Sequence, residues 1–284
     1  MAPRSAPSAR RQRIGVELRR LRERAGMTAA EASRALGTTQ GQISNIEANR
    51  FGVNPERVRT LARIYGCTDT QLVDALADMA AERTRGWWEE YREILPQRLL
   101  DLAELEHHAD ALRVAQALHI PGLLQTAQHA RALFADAVPP RLPHEIEHLM
   151  SYRIKRQAVL HRGTPLPYTA LIHEAALHMR VGGPAVAAEQ LNHLVEMGRR
   201  AHISVLVIPF GRGAFPGSGQ GIDYAHGPVT HLDTVQLDTE HGSEFLDAAA
   251  QLERYTTVLD RLEKLALPAE ESRELIAQAA ATQK

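Results

Sequence analysis

A chain of 284 residues and 31.4 kDa is long enough for two domains and for a core that needs no covalent staples. With 44% hydrophobic and 24% charged residues, wholesale disorder, a collagen-like repeat and a membrane bundle are all excluded. Cys67 is the single cysteine, which rules out an intramolecular disulfide and a cysteine-based zinc cluster and points to a reducing compartment.

The formal net charge of −1 averages two unlike parts. Residues 1–66 hold thirteen Arg, no Lys and five Glu, an excess of eight positive charges, which leaves −9 on the remainder. A basic block joined to an acidic one suggests a polyanion partner for the first, the bland alternative being a solvated Arg-rich helix face. No run of about eighteen apolar residues occurs, and the basic first twenty residues lack an apolar signal core, so a cytoplasmic chain without a membrane partner is expected.

Residues 1–9, rich in Pro, Ser and Ala, read as a disordered arm. From 10 to 79 the pattern is short helices and short turns. Ile14, Leu18 and Leu21 recur at helical spacing until Gly26 stops the first helix. Thr28 with Glu31 forms a capping box for a second, through Ala32, Ala35 and Leu36, closed by Gly37. Thr38 or Thr39 caps a third through Ile43 and Ile46, both expected in the core, and 49–54 is a loop. Pro55 opens a fourth helix with Val58, Leu61, Ala62 and Tyr65 on one face, and Asp69 caps a fifth through Leu72, Val73 and Leu76.

Residues 80–86 read as a linker, and 87–284 mix helices and strands. Helical periodicity covers 88–105 (broken by Pro96), 122–135, 144–161, 184–200, 244–266 and 269–281. Strands are predicted at Tyr168–Ile172, Ile203–Phe210, Gly221–His226 and His231–Asp238. The near-continuous apolar run ISVLVIPF implies a strand buried on both faces. The expected fold is an all-α N-terminal helix-turn-helix domain of five helices joined to an α+β C-terminal domain.

Residues 27–50, MTAAEASRALGTTQGQISNIEANR, spell helix, three-residue turn, helix, a unit that rests one helix across a phosphate backbone and sends the next into the major groove. Arginines suit phosphate contact, and the candidates are Arg10, Arg11, Arg13, Arg50, Arg57 and Arg59, with Thr28 and Thr38 at the helix starts. Over residues 13–76 the segment resembles the helix-turn-helix of the Cro/CI-type (XRE) repressor family, GTTQGQISNIEANR carrying most of the likeness. The resemblance implies that Thr39, Gln40, Gln42, Ser44 and Asn45 reach base edges, and that Glu47 pairs with Arg22 as a structural ion pair. The chemistry of those side chains agrees, since Gln and Asn pair bidentately with adenine and Thr or Ser supplies a hydroxyl or methyl contact. Ala29 departs from the pattern, because many phage repressors place Gln at the start of that helix, so an operator sequence does not carry over.

The fourteen histidines raise other chemistries. His144, Glu145 and His148 form H-E-I-E-H, a literal match to the zinc-peptidase motif H-E-x-x-H. Pro143 puts that motif at the opening of a helix, however, where Glu145 and Glu147 are favourable without any metal. GRGAFPGSGQG lacks the spacing of a dinucleotide fingerprint and reads as a strand connection. Trp87, Trp88 and Tyr91 are candidates for a pocket or dimer seam, with core packing as the alternative. No nucleophile, base and orienting group come together, so no catalytic residue, metal or cofactor is expected.

WWEEYREILP, IPGLLQT, YRIKRQAVL, GGPAVAAEQLNHL, ISVLVIPF and LALPAEESRELI occur in an order similar to that of an actinobacterial group of antitoxin-like XRE regulators, over 87 to about 278. That resemblance implies a short protein encoded nearby as a partner. Together these features predict a sequence-specific regulator that binds double-stranded DNA as a homodimer, its second domain dimerising or binding the short partner or a small-molecule effector. The rivals are an antitoxin-type protein that mainly sequesters the partner, and a metallopeptidase.

Overall fold

In a computed structural model, which describes residues 7–82, 84–213, 216–217, 219–239 and 242–283, local capping chemistry sets the helix boundaries of the first eighty positions. Ser8 caps α1 (Ala9–Arg24), so Ala9, expected in the arm, is already helical; residues 1–6 of that arm lie outside the described residues. Thr28 and Glu31 form both halves of a capping box on α2 (Ala29–Leu36), and Gly37 ends it in the left-handed region at φ 70°. Thr39 caps α3 (Gln40–Glu47), Asn54 caps α4 (Pro55–Ile64), and Asp69 caps α5 (Thr70–Ala81). Their apolar stripes meet in a core of Leu18, Ala32, Ile43, Val58, Leu61, Leu72 and Leu76, each at most 1% exposed.

The chain divides into two units. The first takes residues up to Arg92 together with 99–104, and the second takes 93–98 and everything from Leu105 on. The WWEEY stretch therefore falls in the first unit, as a 3₁₀ turn at Trp87–Tyr91, and α6 (Gln97–His108) contributes to both.

The second unit is built on a six-stranded mixed sheet in the order β3-β2-β1-β4-β5-β6. The strands are β1 (Ala111–Gln116), β2 (Tyr168–His173), β3 (Ile203–Ile208), β4 (Gly221–His226), β5 (Thr234–Thr239) and β6 (Gly242–Leu246). β1, β2 and β3 are parallel, and the others pair antiparallel. The parallel crossovers carry α7 (Ala127–Ala135) and α8 (Pro143–Gln157), then α9 (Glu174–Leu177) and α10 (Pro184–Met197). One sheet face packs Val114, Ala170, Ile172 and Val205 with Leu191 and Leu194 of α10 and Ile276 of α12 (Ala269–Ala281). The other packs Ile222, Tyr224, Val235 and Leu237 with Leu252, Leu259 and Leu262 of α11 (Ala249–Leu265). An all-α unit joined to an α+β unit is the observed fold class.

Three differences from the sequence reading have physical causes. β3 is an edge strand, so Ser204 is exposed and Leu206 only half-buried, where burial on both faces was expected. Its open edge is closed by the first turn of α12 and the chain before it: the Val207 N–H donates to Ser272 Oγ at 2.9 Å, and Val207 O accepts from the Leu267 N–H at 2.8 Å. Residues 244–246, expected to open a helix, instead belong to the strand β6 that pairs with β5, and β1, whose ALRVAQ alternates weakly, was not foreseen.

Candidate nucleic-acid interface

The turn between α2 and α3 is three residues, Gly37, Thr38 and Thr39. Gly37 supplies a positive φ that a side chain would strain, and Thr39 Oγ1 accepts the Gln42 N–H at 3.3 Å to start α3 at once. α3 buries Ile43 at 1% exposure, with Ile46 half-buried beside it. Thr39, Gln40, Gln42 and Ser44 are exposed and Asn45 is half-buried. The five candidate base-reading residues are thus on one short helix and its cap. The Thr38 hydroxyl donates to Gln42 Oε1, so a phosphate candidate and a base-reading candidate hold each other.

Two contacts hold α3 against α1. Arg22 donates from Nε to Glu47 Oε1 at 2.6 Å, from Nη2 to Glu47 Oε2 at 2.9 Å and from Nη1 to the Met27 carbonyl at 2.7 Å. The carboxylate raises the Arg22 pKa further, mainly through the hydrogen bond, and the pair is a structural one. The Tyr65 hydroxyl, buried without a partner, is pushed up to about 12, first by burial and then by the Glu47 charge. The second contact is at Gly15, where a Cβ would stand 2.5 Å from the Glu47 carbonyl oxygen and 2.8 Å from that of Ile46. Sequence reasoning missed this close approach, although a glycine inside a helical pattern is the signal that flags one.

The arginines separate by environment. Arg13 is corrected: it is 7% exposed and donates to Glu17 Oε1 at 2.8 Å, an oxygen that also takes Arg20, so it belongs to the core of α1 and not to a phosphate surface. Arg10 is half-buried against Glu82 at 3.5 Å, and burial lowers its pKa. Arg59 pairs with Asp74 at 3.0 Å on the surface, where a phosphate can compete. Thr28 spends its hydroxyl on Glu31, donating at 2.7 Å and accepting the backbone N–H at 3.2 Å. Among the described residues Arg11, Arg50 and Arg57 are exposed and form no ion pair. Arg10, Arg11 and Arg50 line an open groove of about 740 Å³, floored by Ile14, Met79 and Trp88. Trp88 and Tyr91 are buried and Trp87 half-buried, each ring edge-on to Trp87 at 6.0 Å. Of the three rings only Trp88 lines that groove, and the burial of Trp88 and Tyr91 fits the alternative of core packing.

The H-E-I-E-H stretch opens α8. Glu145 accepts the Leu142 N–H at 2.7 Å, Glu147 pairs with Arg131, and the His144 and His148 rings meet edge-on at 6.2 Å. Among the described residues no three His, Cys, Asp or Glu side chains converge as a metal site. Among the described residues no helix is long and apolar enough to cross a membrane.

A family model described as a helix-turn-helix domain matches residues 13–76, the stretch that carries this geometry. A second, described as a domain of unknown function (DUF5753), matches residues 99–278, well over half of the chain. The chain belongs to the DUF5753 family. Neither a curated protein nor a solved structure matches it. The sheet, α7 to α12 and most of α6 make up the DUF5753 domain, and the helix-turn-helix match supports a DNA-binding regulator in general terms.

Proposed function

We propose that this DUF5753 protein is a sequence-specific transcriptional regulator of XRE type that reads the DNA major groove with α3. The observation that carries the proposal is the two-sided character of α3: Ile43 is sealed in the core, while Thr39, Gln40, Gln42 and Ser44 stand exposed at its N-terminal end. A helix that enters the major groove by its first turns needs that division, and amide and hydroxyl side chains match base-edge donors and acceptors without bulk charge. Arg11, Arg50 and Arg57 are the arginines best placed for phosphates, with Arg59 and Arg10 recruited from their ion pairs. One recognition helix spans only a half-site, so a homodimer on paired half-sites is the working assembly. The acidic DUF5753 domain acts in binding, as dimeriser or receptor for a short partner protein or small effector, and not as an enzyme. A cytoplasmic location goes with this reading.

The test is a gel shift against the chain's own promoter region. The parent is expected to shift that DNA and the double variant Gln40→Ala, Asn45→Ala to lose most of the affinity, each lost bidentate pair costing about 1–3 kcal/mol. Equal binding by parent and variant overturns the assignment of α3.

A further inference from the structure

The row of residues that crosses the sheet at Val114 changes character part-way. Val205 on β3, Ala170 on β2 and Val114 on β1 are apolar; their register partners on β4 and β5 are Asp223 and Gln236. An aspartate inside a central strand, on a face otherwise given to Val, Ala and Ile, is a departure from β-sheet chemistry. Asp223 Oδ1 has no solvent contact and no hydrogen-bond partner. Two arginines of α8 and Glu106 of α6 share its electrostatic surroundings, as does Asp238.

These neighbours do not neutralise it. Arg156 is spent on Glu106, donating from Nε to Oε2 at 2.7 Å and from Nη2 to Oε1 at 2.5 Å, both side chains buried. Arg153 donates from Nη1 to Gln125 Oε1 at 2.5 Å and lies over the Phe134 ring at 5.2 Å, but its Nε is buried without a partner. Arg153 Nε and Asp223 Oδ1 are thus a buried donor and a buried acceptor, each without a partner, within electrostatic reach of one another. Burial of a polar atom without a partner is unfavourable and rare in folded proteins, so a pair of such atoms marks a place where something else binds.

The surroundings hold Arg153 in place. The Arg153 guanidinium lies over Gly122, where a Cβ would stand 2.6 Å from Arg153 Nη1 and push the guanidinium aside. Gln125 is fixed in turn, its Nε2 donating to the Ile120 carbonyl at 2.8 Å, and Gln157 Nε2 donates to the carbonyls of Gln125 and Gly122 at 2.7 and 3.2 Å. Such second-layer support is the mark of a site preorganised for a ligand. Phe134, half-buried, has the exposed Arg141 over its ring at 5.9 Å and so links the interior to the surface.

We propose that Asp223 and Arg153 form a small-molecule site in the DUF5753 domain. Its ligand presents an N–H donor to Asp223 beside an oxygen acceptor to Arg153, a pairing that free amino acids and nucleobase edges both offer. Burial holds the Asp223 carboxyl up at about 7, so near neutrality a ligand cation that pairs with the carboxylate also displaces its proton.

The experiment is calorimetric titration of the purified full chain, without DNA, with the proteinogenic amino acids in one arm and the common nucleobases and nucleosides in the other, at up to about 1 mM. A member of one arm is expected to bind, and the arm identifies the source. Asp223→Asn and Arg153→Lys are each expected to weaken that binding by at least about tenfold, the loss of one charge-assisted hydrogen bond. Asp223→Asn should melt no lower than the parent, because it removes an unpartnered buried charge. Failure of every member to bind, or equal binding by parent and both variants, overturns the proposal. A large drop in the melting temperature of Asp223→Asn assigns the carboxylate to structure and overturns it too. No arm contains DNA, so failure here is distinct from failure of the regulator reading.

Discussion

Arg22 grips Glu47 through two parallel hydrogen bonds of 2.6 and 2.9 Å, fastening the last turn of α1 to the last residue of α3. The side chains are 11% and 9% exposed, so neither charge has water to fall back on. Glu47→Ala should destabilise the chain by about 3–5 kcal/mol, the usual consequence of leaving one member of a buried pair uncompensated. The double variant Arg22→Met, Glu47→Leu should recover most of that loss. Urea unfolding of the three chains checks both statements.

Gly15→Ala is expected to go against helix propensity. Alanine inside a helix normally gains about 1 kcal/mol over glycine. Here the added methyl group meets backbone carbonyls of α3 at 2.5 and 2.8 Å, atoms that cannot swing aside. Overpacking of this kind costs about 1–3 kcal/mol, so the net effect should be a loss of stability together with a displaced α3 and weaker DNA binding. A thermal melt and a gel shift of the single variant decide it.

The exposed and buried arginines should part company in salt. If α3 and its flanks contact DNA, Arg11→Gln, Arg50→Gln and Arg57→Gln should each flatten the plot of log affinity against log salt by about 0.9. Arg13→Gln should leave that slope unchanged and instead lower stability by about 3 kcal/mol, because its guanidinium is buried against Glu17. Binding measured between low and moderate salt, with unfolding in parallel, separates the two behaviours.

Two titratable groups of the DUF5753 domain pull stability in opposite directions with pH. His129 is 3% exposed with both ring nitrogens unpartnered, and burial depresses it to about 4. The unfolded chain takes up that proton first, so His129 supports the fold above about pH 6.5 and the support drains away as pH falls towards 4, by about 3 kcal/mol at 1.36 kcal/mol per unit. Asp223, raised to about 7, does the reverse: the folded chain keeps its proton longer, so stability declines as pH rises from about 4 through 7. Unfolding measured across pH 4 to 7.5 should show His129→Leu losing the acid-side decline and Asp223→Asn losing the decline towards neutrality.

Much of the first unit was legible because its determinants are local. Thr28 with Glu31, Thr39, Asn54 with Pro55, and Asp69 each act on a backbone N–H within three residues, and the observed helices start where those residues sit. The burial of Ile43 and the exposure of its neighbours Gln42 and Ser44 follow from the 3.6-residue period in the same way. The second unit was less legible. Its strands at 168–173 and 221–226 announce themselves by β-branched and aromatic alternation, but β1 carries Ala, Arg and Gln and becomes a strand only because β2 and β4 lie on either side of it. The polar site around Asp223 had one signal, an aspartate in the middle of a strand pattern, and sequence alone offers no reason to join it to Arg153.

By itself, then, the sequence determined the helix ends, the three-residue turn, the polar face of α3 and the split of charge between a basic start and an acidic remainder, all of which depend on neighbours a few positions away. Only the tertiary structure decided which charges are available. It buried Arg13 and left Arg11 exposed two residues earlier, joined Glu106 to Arg156 across 50 positions, and left Asp223 without a partner. The physical reason is that a charge is worth little in water and a great deal in a low-dielectric interior, and which of the two surrounds a side chain is set by segments far away along the chain.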